Sequence, residues 1–132
     1  MNRRRMLLAA MGGLVLAVSA GLAVAQQAWI LLGTRTVNLL AEQDVVNVTA
    51  AAGVFERIGL RARGNDLYVF DVRVVFGNGD VQDVPIRETI PQGDTTRAID
   101  LMGNNRIISS VILTYRRPVG GGAVIIEVYG QR

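Results

Sequence analysis

The chain has no cysteine, no histidine and no lysine in its 132 residues. Each absence excludes a chemistry. Without Cys or His, no nucleophile triad can be built on either residue. Zinc and haem lose their usual protein ligands, and no thiol can carry a lipoprotein's lipid. Without Lys there is no Schiff base and no phosphate-loop lysine. The fold must stand without disulfides. Aromatics are few, at one Trp, three Tyr and three Phe, so any sugar-stacking surface rests on very few rings. Gly120-Gly121-Gly122 does not open a helix after a strand and is no dinucleotide fingerprint. No cofactor and no metal are expected.

The N-terminus carries the clearest signal. Asn2-Arg3-Arg4-Arg5 is a basic start, Met6 to Leu22 is a nearly uninterrupted apolar run, and Ala23-Val24-Ala25 ends it with a small-x-small site. This is the layout of a secretory signal peptide over residues 1–25, with a single domain over 26–132. A retained membrane anchor is the alternative. The run is short for a spanning helix and is interrupted by Gly12, Gly13, Ser19 and Gly21. Arg3-Arg4 is also compatible with twin-arginine export. The expected location is the periplasm or the exterior, with membrane contact only through the leader before cleavage.

The leader also explains the charge. The whole chain is formally +3. From Gln26 onward eleven Arg face eleven acids, so the mature domain is neutral and its composition does not point to nucleic acid.

Beyond the leader, apolar residues alternate with polar ones in short runs bounded by Gly, Asn, Asp and Pro, the pattern of strands and turns. About eight strands are expected, near 29–37, 44–49, 55–63, 67–76, 81–90, 95–101, 107–116 and 123–130, with a helical turn within 38–43. The fold class is all-β: an antiparallel two-sheet sandwich, with a jelly roll as one form and an open barrel as the alternative. Strand periodicity places Tyr68, Phe70, Val72, Val74 and Phe76 on one inward face. Ile58, Leu60 and Ala62 point inward, and Arg57, Arg61 and Arg63 outward. Gly64-Asn65-Asp66 is read as a hairpin loop setting Ala62 opposite Tyr68. Parity requires an odd loop at Gly77-Asn78-Gly79, with Gly79 left-handed.

Several runs carry a family resemblance. They are Trp29-Ile30-Leu31-Leu32-Gly33, Gly53-Val54-Phe55-x-x-Ile58-x-Leu60, Val74-Val75-Phe76-Gly77-Asn78-Gly79, Arg87-x-x-Ile90-x-x-Gly93, Arg97-x-Ile99-Asp100-Leu101-x-Gly103 and Arg106-x-Ile108. Over nearly the whole mature chain these resemble a family of small secreted bacterial proteins of unassigned function. The resemblance implies a β-sandwich and carries over no catalytic residue.

Four constellations could hold chemistry. A carboxylate pair could hydrolyse glycosides if two acids converged in a cleft; Glu88 is the least ordinary acid, though pairing with Arg97 or Arg106 accounts for it. Asn78, Asp80 and Asp83 offer oxygen ligands for calcium, yet turn chemistry alone explains them. Arg57, Arg61 and Arg63 form an arginine stripe, joined by Arg73 on a presumed neighbouring strand, which could dock an anionic glycan or headgroup. The plainer account is a solvated face, with Asp71 across from Arg61 as its counter-charge. Finally, Trp29 and Tyr129 are the rings available for stacking on a sugar, although Trp29 could instead close one end of the sandwich. The reading that follows is a non-enzymatic binding or accessory module of the cell envelope, with Arg57, Arg61, Arg63, Arg73 and Trp29 as candidate ligand contacts. An envelope glycan or another envelope protein would be its partner. The alternatives are a dedicated glycan or anionic-ligand module and a carboxylate-based hydrolase.

Overall fold

A computed structural model of the chain describes residues 28–37, 42–49, 52–116 and 122–132. The expected leader, most of the tract expected to hold a helical turn, and Pro118 with Gly120-Gly121 lie outside the described residues. Gln43, at the end of that tract, already belongs to a strand. Among the described residues nine strands follow one another: β1 (Trp29–Thr36), β2 (Gln43–Asn47), β3 (Val54–Phe55), β4 (Arg57–Arg63), β5 (Leu67–Phe76), β6 (Val81–Ile90), β7 (Ile99–Asp100), β8 (Arg106–Arg116) and β9 (Ile125–Gln131). Among the described residues there is no α-helix, and so none long and apolar enough to cross a membrane.

The strands form two antiparallel sheets. The first has the order β1-β9-β4-β7. The second has the order β2-β8-β5-β6, with the short β3 also pairing β8. The pairs β1 with β9, β2 with β8, β4 with β7 and β5 with β6 are nested. The chain therefore behaves as one long hairpin rolled up, passing repeatedly between sheets. Ile58, Leu60 and Ala62 of β4, Ile126 and Val128 of β9, Val72 and Val74 of β5, and Val111, Leu113 and Tyr115 of β8 join a single buried cluster. Burying such an aliphatic side chain contributes about 1.5–3 kcal/mol, and alternation along each strand brings it about.

The Gly77-Asn78-Gly79 loop has the expected odd length. Phe76 N donates to Asp80 O at 2.9 Å, Gly79 N donates to Phe76 O at 2.9 Å, and Gly79 has φ 92°. The inward set Val84, Ile86 and Ile90 on β6 is retained, and β6 lies at a sheet edge, where Pro85 costs no ladder bond.

The structure corrects the sequence reading in four places. Gly64-Asn65-Asp66 is not a hairpin: β4 pairs β9 and β7, while β5 pairs β8 and β6, so this turn carries the chain from one sheet to the other. Inward residues of matching parity suit a crossing as well as a hairpin. The run 55–63 breaks at Glu56, with Phe55 opposite Arg106 of β8 and Arg57 opposite Gln131 of β9. The expected strand 95–101 shrinks to Ile99–Asp100, preceded by one bridge from Thr95 to Arg61.

The fourth correction bears on the surface. Pairing of β5 slips between Val69 and Asp71 against both of its neighbours. The extra residue switches side-chain parity. Leu67 and Val69 are therefore buried, whereas Tyr68 is half-buried and Phe70 is 39% exposed. On β6 the two residues Ile86 and Arg87 stand opposite Phe70, and Arg87 takes φ 54°, the left-handed region that non-glycine residues seldom enter.

Candidate functional site

The outer face of the first sheet is built from rows of facing residues. Trp29 of β1 faces Gln131 of β9, which faces Arg57 of β4, which faces Asp100 of β7. The next row runs Leu31, Tyr129, Gly59, and the next Thr34, Glu127, Arg61. Alternation along β4 turns Arg57, Gly59, Arg61 and Arg63 away from the core that takes Ile58, Leu60 and Ala62. Gly59 leaves room on this face. A Cβ there would stand 3.6 Å from the Trp29 ring, so the indole lies across the sheet over the glycine backbone. Trp29 does not close an end of the fold.

The arginines are held in distinct ways. Arg57 Nε donates to Asp100 Oδ1 at 3.2 Å, and its Nη1 donates to Gln131 Oε1 at 2.9 Å. Arg61 Nε donates to Gly93 O at 3.2 Å, and its positive charge acts on the Tyr129 phenol. Arg63 Nη1 donates to Glu127 Oε2 at 3.3 Å, while the Tyr129 hydroxyl donates to Glu127 Oε1 at 3.0 Å. Glu127 is an outward residue only 6% exposed. Burial pushes the Tyr129 phenol above its ordinary range, the Glu127 carboxylate adds to this, and Arg61 opposes it. The phenol thus stays a donor. The result is a face with two aromatic rings, Trp29 and Tyr129, two exposed aliphatics, Leu31 and Ile125, and a fixed set of donors and acceptors.

Of the candidate contacts, Trp29, Arg57, Arg61 and Arg63 meet on this face. Arg73 does not. It lies on β5 in the other sheet and pairs with Asp83 at 2.8 Å. Asp71, expected across from Arg61, is likewise on the other sheet. The error follows directly from the hairpin that is really a crossing. Sequence reasoning missed Glu127 and Gly59, because nothing local shows that β9 separates β1 from β4. Alternation does place both Glu127 and Tyr129 opposite the core residues Val124, Ile126 and Val128, which is the available signal.

The other constellations disperse. Asp80 is bound by Arg106 at 3.2 Å and by the Asn78 amide at 3.0 Å, and Asp83 belongs to Arg73. No group of three metal-ligating side chains occurs among the described residues. Glu88 pairs with Arg97 at 3.2 Å and is half-exposed. The buried acids Asp44 and Glu127 are each in an ion pair, with Arg35 and Arg63. An open depression of about 550 Å³ lies elsewhere, lined by Val54, Phe76 and Arg106 among others.

A family model described as a domain of unknown function, DUF2541, matches residues 8–130, a span that begins inside the apolar run Met6 to Leu22. No curated protein and no solved structure was found to match the chain.

Proposed function

The chain belongs to the DUF2541 family, and from that premise we propose that it is an exported jelly-roll module that binds an envelope glycan on the outer face of its first sheet. The nested strand pairing supports the jelly roll, in which two sheets of a rolled hairpin enclose one core. The observation that carries the binding reading is the meeting of Trp29 with Arg57 and Arg61 on one face. A sugar's apolar ring face stacks on an indole. Its hydroxyls need fixed donors and acceptors, which Arg57, Arg61, Gln131 and Tyr129 supply. Arginine additionally suits a carboxylate or phosphate substituent. The hydrolase alternative gains no support from geometry, since each buried acid is held by an arginine.

Binding to an array of bacterial envelope glycans tests this. Trp29→Ala and Arg61→Ala are each expected to weaken binding about tenfold, in line with the outsized share of Trp and Arg in binding energy. Loss of affinity with added salt would assign the larger share to the guanidiniums, and salt-insensitive binding to the indole. Equal affinity in the wild type and both variants would remove the site. Export has its own check. N-terminal sequencing of the protein recovered from cells is expected to begin at Gln26, and a chain still beginning at Met1 would overturn cleavage.

A further inference from the structure

The second sheet carries a different surface, which depends on none of the reasoning above. The slip in β5 turns Tyr68 and Phe70 outward. Their rings meet edge to face with centroids 4.9 Å apart. The Arg116 guanidinium of β8 lies 4.5 Å from the Tyr68 ring and 5.5 Å from the Phe70 ring. Across Phe70, on β6, stands Arg87 with its left-handed backbone. Six of the described arginines are ion-paired: Arg35, Arg57, Arg63, Arg73, Arg97 and Arg106. Arg61 and Arg132 donate to backbone carbonyls. Arg87 and Arg116 have neither kind of partner among the described residues. The Arg116 guanidinium therefore covers the exposed aromatic pair from β8, and Arg87, whose charge acts on Asp71, stands across from Phe70 on β6. Strained backbone held in place by surrounding structure concentrates at functional sites, and Arg87 is such a residue. Asp71 of β5 and Thr114 of β8, cross-strand neighbours at the next row, add hydroxyl-binding groups beside the rings.

We propose that Phe70, Tyr68, Arg116 and Arg87 form a binding site for an acidic sugar unit of the uronate type. The pyranose ring would lie on Phe70 and its carboxylate would lie between the two guanidiniums. Guanidinium forks bind carboxylates bidentately, and the rings orient the sugar. The neighbouring Asp71 favours a hydroxyl-bearing ligand over an anionic membrane, because it can accept a sugar hydroxyl's hydrogen, a partner that a sheet of lipid phosphates does not offer.

Calorimetric titration of the purified protein with trigalacturonate, with its fully methyl-esterified form and with phosphatidylglycerol vesicles tests the site. Trigalacturonate is expected to bind, the neutral ester at least tenfold more weakly, and the vesicles not at all. Arg116→Gln and Phe70→Ala are each expected to weaken trigalacturonate binding at least tenfold while thermal unfolding stays cooperative. Asn47→Ala, on β2 of the same sheet, keeps the wild-type affinity. Should Arg116→Gln disturb folding, Arg87→Gln replaces it with the same expected loss. The site is overturned by no trigalacturonate binding, by equal binding of acid and ester, by equal affinity in wild type and folded Arg variants, or by binding to vesicles alone. None of these outcomes touches Trp29, so the first-sheet reading stands or falls separately.

Discussion

Phe55→Ala is expected to lower the free energy of unfolding by about 3–5 kcal/mol, the range for deleting a buried aromatic ring. Phe55 is 0% exposed and sits where the chain leaves β8 and joins β9. Its ring has no substitute. A Cβ on Gly130 would come within 2.7 Å of it, and the Arg132 guanidinium lies 4.8 Å above it. Truncation leaves a cavity walled on one side by a glycine that has nothing to fill it, so the cost belongs toward the upper end. Urea denaturation is the measurement, with the slope unchanged and the midpoint shifted. The reciprocal variant sharpens it. Gly130→Ala alone overpacks the corner and costs about 1–3 kcal/mol, yet beside Phe55→Ala the new methyl enters vacated space. The double variant should lose less than the sum of the two, a coupling expected of residues in contact. Strict additivity would mean that the ring and the glycine do not share the corner.

That corner also shows where the sequence was legible. The alternation of Ile58, Leu60 and Ala62 with Arg57, Arg61 and Arg63 read correctly, because a strand's two faces follow from backbone geometry alone. The odd loop at Gly77–Gly79 read correctly for the same reason. Pairing partners did not. Whether Gly64-Asn65-Asp66 turns back within one sheet or crosses to the other depends on what packs against β4, and β9 lies more than sixty residues further along the chain. The stripe therefore gained Trp29 and Tyr129 as neighbours and lost Arg73 to the opposite sheet.

The slip at Phe70 was hidden for another reason. Tyr68-Val69-Phe70 is apolar at three consecutive positions, so either parity satisfies the pattern. The core takes the smaller Val69 and leaves the two rings outside, where Arg116 covers them. A further slip at Ser109, between the pairs of Val75 with Ser110 and Phe76 with Ile108, lets Ile108 join Val111 and Leu113 inside. With β2 on one side and β5 on the other, β8 is an inner strand, so the apolar run Ile107–Leu113 is not an open edge.

Asp44, on the inward side of β2, has variants that are expected to separate charge from hydrogen bonding. It is 6% exposed, accepts the Tyr115 hydroxyl at 2.7 Å and pairs with Arg35 at 3.1 Å. Asp44→Ala removes a charge-assisted bond inside the core and is expected to cost about 1.5–3 kcal/mol. Asp44→Asn keeps an acceptor for Tyr115 and weakens the contact with Arg35, which is 52% exposed, a loss of about 0–1 kcal/mol. Denaturation midpoints should therefore rank wild type and Asp44→Asn close together, with Asp44→Ala well below. Tyr115→Phe, which breaks the same bond from the other side, should resemble Asp44→Ala. The double variant should cost less than the sum of the singles, since removing both partners spares the penalty of stranding one. An Asn variant as unstable as the Ala variant would mean that Arg35, rather than Tyr115, holds the carboxylate. In either case the acid tethers the β1–β2 edge to β8, a role that accounts for its burial without any call on catalysis.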